Sequence, residues 1–409
     1  MGLLLVNALS KLAAFALLPL LTRTLSIDGF NQWVLAQTLF GALPLVMALG
    51  LPAAMSNRFF THADPGRGDA DVAAIGRMLE RSAFAGLAVF GGVLGFVSFA
   101  NDLPLSAAGA LALSATGSTL LQLPTTHLRL RQRTHALAAL QFADFASSLT
   151  CISAGLSLTH SVGGALVGQA LAQSILGVFS VWYLRRALPC PSELRFESIR
   201  PVALPMVPHL IANQLQVVAD RWCLGILAQP AELSRYAIAS QLAAPVSMAS
   251  GAWNETEAPR LGERYRVDGR RGLRTAFTAQ PLGFLVVATV AAGLLLLGLP
   301  IVQWLLGKDF RTATVLLPAI LAIAVFDSLY FPAVNVLFLT GQTRSIPLVT
   351  VSSALAGLLL NLSLVGAFGA WGAITARAAG AVARVMMLVA AARQAAKEST
   401  PPARLGRWT

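Results

Sequence analysis

A chain of 409 residues with 56% hydrophobic and only 12% charged residues has too little polar surface to be a water-soluble globule. Its formal charge of +12 is scattered between apolar runs rather than gathered on one face, which speaks against nucleic acid as a partner. Cys151, Cys190 and Cys223 lie far apart and offer no CxxC pair, disulfide framework or metal site.

The apolar runs define the architecture. A transmembrane helix needs roughly 20 mostly apolar residues. Runs of that length fall at 3–25, 31–56, 82–100, 103–126, 136–159, 162–184, 201–228, 236–256, 277–300, 313–339, 346–367 and 370–392. They lack the polar–apolar alternation of barrel strands. The chain is therefore expected to be an all-α integral membrane protein of about twelve transmembrane helices.

Charge placement orients these helices. If the N-terminus is cytoplasmic, 22 of the 30 Lys and Arg residues fall in cytoplasmic segments, four on the opposite side and four inside runs. Loop after loop thus obeys the positive-inside rule and puts both termini in the cytoplasm of a bacterial inner membrane. The excess charge also favours contact with anionic lipid. The first run is long enough to stay in the membrane, and no cleavable signal is evident. Non-cytoplasmic turns such as Asn101-Asp102, Leu158 to Ser161 and Gly366 to Gly369 are too short to hold a domain. The cytoplasmic segment 257–276 reads as a basic amphipathic helix on the membrane surface, anchored by Leu261, Tyr265 and Leu273.

Two echoes divide the chain. The stretch from Leu25 to Leu39 returns about 203 residues later as Ala228 to Leu242, with Trp33 falling on Tyr236 and Ala36 on Ala239. Gly164 to Ala170 returns 208 residues later as Gly372 to Ala378. Six helices followed by six give parallel repeats about an axis along the membrane normal. The expected organisation is an N-terminal lobe over 1–185, a cytoplasmic linker over 186–200, a C-terminal lobe over 201–395 and a cytoplasmic tail over 396–409.

Several motifs carry a resemblance. Pro19-Leu20-Leu21-Thr22-Arg23-Thr24-Leu25-Ser26 with Gly29-Phe30, and Leu49-Gly50-Leu51-Pro52-Ala53-Ala54-Met55-Ser56-Asn57-Arg58-Phe59, resemble bacterial polysaccharide flippases. So do Leu305-Leu306-Gly307-Lys308-Asp309-Phe310-Arg311, Thr340-Gly341-Gln342-Thr343-Arg344 and Gly369-Ala370-Trp371-Gly372-Ala373-Ile374-Thr375. Those proteins belong to the multidrug/oligosaccharidyl-lipid/polysaccharide exporter superfamily. The resemblance covers nearly the whole chain, although the Ile-Pro often found before the last span is missing. It implies two six-helix lobes in a V around a cavity with alternating access. It also implies an undecaprenyl-pyrophosphate-linked oligosaccharide as substrate, and leaves room for other polysaccharide-assembly proteins as partners. No cofactor is implied.

A pyrophosphate crossing the bilayer calls for cations along its path, so charges inside runs are the candidates. Each costs about 2.5–3.5 kcal/mol at a helix centre and must face the interior or find a partner. The cations are Lys11, Arg221, Arg377 and Arg384, the last two seven residues apart on one helix face. A guanidinium fork suits phosphate oxygens. The carboxylates are Asp144, Asp220, Glu255 and Asp327, with Glu257 near a run end. Asp144 and Asp327 are candidates for a coupling proton or cation. The alternative for all of them is ion pairing between helices. Arg23 and Arg58 read as anchors at span ends. Pro201, Pro205 and Pro208, beside His209, predict an irregular or bendable helix start. Walker loops, nucleophile motifs and metal spacings are absent from the sequence. Two rival functions stay open: a multidrug or cation antiporter of the same superfamily, and a polymerase or ligase, which would need a sizeable periplasmic loop.

Overall fold

The structure, a computed structural model, describes residues 16–61, 65–100, 105–342 and 345–398. Among them there is no β-strand. Residues 16–24 form helix α1, followed by α2 (Ile27–Met47), α3 (Leu51–Thr61), α4 (Pro65–Ala100) and α5 (Leu105–Leu130). Next come α6 (Thr134–Thr159), α7 (Val162–Ala187), α8 (Phe196–Leu227), α9 (Pro230–Asp268) and the short α10 (Arg270–Leu273). The chain continues through α11 (Ala279–Leu297), α12 (Leu299–Leu305), α13 (Leu317–Asp327), α14 (Tyr330–Leu339) and α15 (Ser345–Glu398).

Helix starts follow local chemistry. Ser26 is extended, and its hydroxyl accepts from the Gly29 N–H at 3.2 Å, capping α2. Ser161 caps α7 in the same way through the Gly164 N–H, also at 3.2 Å. At α9 the first helical residue is Pro230, whose missing N–H costs nothing there. The two echoes in the sequence reappear as helix boundaries. Ile27 and Pro230 open α2 and α9 203 residues apart, and Ser161 and Gly369 precede helical segments 208 residues apart.

The chain forms two compact units, Met1–Gln214 and Leu215–Thr409, and the division falls within α8. In the first unit α5 packs against α7, α4 and α2, while α6 packs against α7. Small residues bring backbones close, as expected where lipid-like surroundings remove the hydrophobic drive between helices. At one end Leu51, Met55, Ile75, Leu79, Leu123, Leu184 and Ile199 close a core. The second apolar run is broken: Leu49 (φ 49°) and Gly50 (φ 70°) are left-handed, and α2 and α3 meet at a bend of 48°. A Cβ on Gly50 would also lie 2.2 Å from the Ala203 carbonyl oxygen, so this position demands glycine twice over.

In the second unit α9 packs against α11 and α13, and α13 and α14 pack against α15. Leu261, Tyr265 and Leu273 are buried together with Val336, Leu337, Ile346, Leu388 and Ala392. This corrects the expected surface helix. α9 runs unbroken from its apolar part to Asp268, and Leu261 and Tyr265 on it and Leu273 at the end of α10 are covered by protein, which offers them denser contacts than a headgroup layer does. Where the prolines at 201, 205 and 208 suggested an irregular or bendable start, α8 is assigned as one helix across all three. The backbone is helical from Phe196, because Pro201 lies near the first turn and a membrane helix tolerates the later gaps. In α15 a single non-helical residue, Gly369 (φ 54°, ψ −133°), separates the last two apolar runs.

Six of the described helical segments are long and apolar enough to cross a membrane, or seven with the bent α2–α3 pair. That falls short of twelve for identifiable reasons. α15 holds two of the expected runs, the run 3–25 falls within the described residues only from residue 16, and α5, α8 and α9 are diluted by Ser, Thr, Gln and charged residues.

Candidate functional site

α15 carries both arginines that the sequence singles out, and neighbouring helices of the second unit meet each of them. At Arg377, Nη1 lies 3.7 Å from Asp220 Oδ2 of α8 and donates to the Tyr236 hydroxyl of α9 at 3.2 Å. The Tyr236 hydroxyl in turn donates to Asp220, whose Oδ1 accepts from the Arg221 N–H at 2.9 Å. Seven residues on, Arg384 is ion-paired with Asp327 at the end of α13 and donates through Nη1 to Gln216 Oε1 at 2.6 Å. Its guanidinium carbon lies 5.5 Å from the centre of the Tyr330 ring. Gln216 is itself fixed, donating to the Ser353 hydroxyl at 2.6 Å and the Thr350 carbonyl at 3.0 Å.

For Arg377 and Arg384 the sequence left substrate contact and ion pairing open side by side. Both are ion-paired, the alternative that the balance of in-span cations and anions left open. The reason is the insertion cost: a guanidinium surrounded by apolar helices must be neutralised when no ligand is present. Neither arginine is fully used. Arg377 keeps 41% of its side chain uncovered by protein, and Arg384 Nε is buried without a hydrogen-bond partner among the described residues. Both carboxylates come from other helices, so an incoming anion can compete for the guanidinium without unfolding α15.

The remaining candidates are dispersed. Lys11 lies outside the described residues. Arg221 Nε is buried without a hydrogen-bond partner among the described residues. Asp144 belongs to the first unit, where Gln173 Nε2 donates to it at 2.9 Å and Ser148 at 3.4 Å. No cation pairs with Asp144 among the described residues. Glu255 is exposed on α9, whereas Glu257 is buried, pairing with Arg260 at 2.7 Å and accepting from Gln280. Arg58 behaves as an anchor, donating to the Ser198 carbonyl at 2.9 Å.

Sequence reasoning missed a second polar cluster, in the first unit. Asp69 accepts from His127 Nε2 at 3.0 Å and from Arg131 Nε at 3.1 Å, while His127 Nδ1 meets the Tyr183 hydroxyl at 2.7 Å. The cluster joins α4, α5 and α7. Its only sequence signal was a histidine at the end of an apolar run, which does not name its partner. Gln37 and Gln169, paired at 2.7 Å, escaped notice for the same reason. Tyr236 did carry a signal, a hydroxyl within an apolar repeat.

Comparison of the whole fold with solved structures defines a class. An inward-facing multidrug resistance MATE family transporter of the MOP superfamily matches with a TM-score of 0.71 at 14% identity, over 94% of this chain and 96% of that one. A MOP superfamily transporter from Pyrococcus furiosus matches with a TM-score of 0.68 at 12% identity, over 97% of this chain and 94% of that one. The chain thus shares the fold of these MOP-superfamily transporters. A sequence relative, a protein of the Lsg locus of Haemophilus influenzae, is 22% identical over 367 residues, covering 87% of each chain. The model of the polysaccharide biosynthesis protein family matches residues 2–254, and the chain belongs to that family.

Proposed function

We propose that this transporter is a flippase that carries undecaprenyl-pyrophosphate-linked oligosaccharide from the cytoplasmic to the periplasmic leaflet by alternating access. It serves surface polysaccharide biosynthesis from the bacterial inner membrane, with both termini in the cytoplasm. The observation that carries this reading is the pair of arginines on α15. Each is held by a carboxylate on another helix, and each keeps guanidinium surface or a donor to spare. A pyrophosphate bears at least two negative charges and offers bidentate oxygens, so it competes for such forks better than a single carboxylate does. Membership of a polysaccharide biosynthesis family supports the same cargo. Function then follows from exchange: the guanidinium leaves Asp327 or Asp220 for the pyrophosphate and returns once the cargo has left.

The test is surface polysaccharide in a flippase-deleted strain carrying each variant at matched membrane levels. Arg384→Gln is expected to abolish export and Arg384→Lys to keep part of it, since charge survives while the fork is lost. Arg195→Gln, on the exposed segment before α8, is expected to be mild. Full export by Arg384→Gln at normal expression would exclude this arginine as a cargo ligand.

One observation favours a second reading, a multidrug or cation antiporter. Asp144 is a partly buried carboxylate with amide and hydroxyl donors but no paired cation among the described residues, an arrangement suited to binding a proton. If that reading holds, Asp144→Asn removes drug resistance and leaves surface polysaccharide unchanged.

A further inference from the structure

A cavity of about 660 Å³ lies within the first unit, and none of its lining residues belongs to the unit that carries the α15 arginines. Arg77, Glu80, Arg81 and Phe84 of α4 form one wall. Leu184 and Arg185 of α7 form another, and Leu188, Pro189 and Cys190 of the following segment complete it. That segment is tied down from outside the cavity: Ser192 donates its hydroxyl to Asp71 at 2.6 Å and its N–H to the Ala70 carbonyl at 3.1 Å. The wall is therefore built, not draped.

Three guanidiniums here face one carboxylate. Arg185 reaches Glu80 at 3.3 Å with most of its side chain exposed, and Arg77 and Arg81 are exposed one helical turn apart. The lining also has an apolar part in Phe84, Leu184 and Leu188, and Trp182 lies exposed on the same end of α7. A cationic rim over an apolar floor, beside an exposed indole, is the pattern of a membrane–water interface. The volume is that of a small-ligand site.

We infer that this cavity binds the phosphate of an amphipathic ligand at the cytoplasmic membrane surface, with Arg77, Arg81 and Arg185 as its donors. Glu80 holds Arg185 in place while the site is empty, and the apolar floor receives the first carbons of the lipid. A membrane glycerophospholipid and a polyprenyl pyrophosphate share this chemistry. The site does not depend on the flippase reading, since either lipid fills it whatever the cargo.

Cys190 reports on occupancy because it lines the cavity and is exposed. In the full-length protein with Cys151→Ala and Cys223→Ala, the rate of Cys190 modification by an uncharged maleimide is measured in four settings. These are phosphatidylcholine vesicles, the same with phosphatidylglycerol, the same with undecaprenyl pyrophosphate, and detergent with inorganic pyrophosphate. Relative to phosphatidylcholine or ligand-free detergent, saturating ligand should slow modification roughly tenfold if only the open site reacts. Slowing in the phosphatidylglycerol arm identifies a bulk headgroup, and slowing confined to undecaprenyl pyrophosphate identifies a cargo-like lipid. The effect should disappear in Arg81→Gln/Arg185→Gln and persist in Arg81→Lys/Arg185→Lys. Three results overturn the inference: no slowing in any lipid arm, slowing by inorganic pyrophosphate alone, or equal slowing in the Gln variant.

Discussion

Asp220 is almost wholly buried while its ion-pair partner Arg377, 3.7 Å away, keeps 41% of its side chain exposed. The pair is thus lopsided: the carboxylate depends on the arginine more than the arginine depends on the carboxylate. Tyr236 sits between them, donating to Asp220 and accepting from Arg377, so α8, α9 and α15 are tied at one point.

Removing the arginine should therefore cost more than neutralising the acid. Arg377→Gln is expected to lower stability by about 1–3 kcal/mol, the cost of stranding a buried polar group. Asp220→Asn, which can still accept from Tyr236, should cost less. The double variant should recover part of the Arg377→Gln loss, since no buried charge remains. Thermal unfolding in detergent measures this, and strictly additive losses would show that the two residues are not coupled.

Close helix contacts in the first unit give a steric prediction. A Cβ on Gly155 would lie 2.1 Å from the Gly164 carbonyl oxygen, and one on Gly117 2.1 Å from that of Gln173. Gly155→Ala and Gly117→Ala should each destabilise by about 1–3 kcal/mol through overpacking. Gly109 has nothing within 4 Å of such a Cβ, so Gly109→Ala should be neutral or stabilising. The order of melting temperatures checks this, and equal melting of all three variants would disprove the close approach.

The break in α15 rests on a side chain from α9. Glu232 Oε2 accepts from the Ala370 N–H at 3.0 Å, and Arg235 holds the same carboxylate at 3.1 Å. Glu232→Ala should cost about 1 kcal/mol, as for loss of a helix cap. Gly369→Ala should cost about 1–2 kcal/mol for its left-handed φ, and more because its Cβ meets Glu232 at 3.0 Å. The two losses should be less than additive, since Glu232→Ala removes the atom that the new methyl strikes. Additive losses would place the strain elsewhere.

Orientation is open to a direct measurement. A fluorescent reporter fused after Thr409 should be bright, and alkaline phosphatase at the same place inactive, as the excess of Arg on one side requires. Active phosphatase there would reverse the proposed topology.

How much of this was legible in the sequence follows from the range of the interactions involved. Helical membrane character and the positions of the apolar runs depend on composition, so the chain alone determined them, and the run at 162 marks the start of α7, whereas α2 and α9 begin at Ile27 and Pro230, ahead of the runs at 31 and 236. The echoes at 203 and 208 residues reappear as helix boundaries because they repeat local signals. The sequence also placed Arg377 and Arg384 on one stripe of α15, since that is helix geometry alone. Only the tertiary structure decided what they face. Asp220 and Asp327 lie far away in the chain, and which carboxylate meets which arginine depends on how each helix is rotated, a property that near-uniform apolar runs do not encode. The anchors of the expected surface helix went into a protein core for the same reason. Leu261, Tyr265 and Leu273 announce an apolar face, but only the placement of α14 and α15 determines whether lipid or protein covers it.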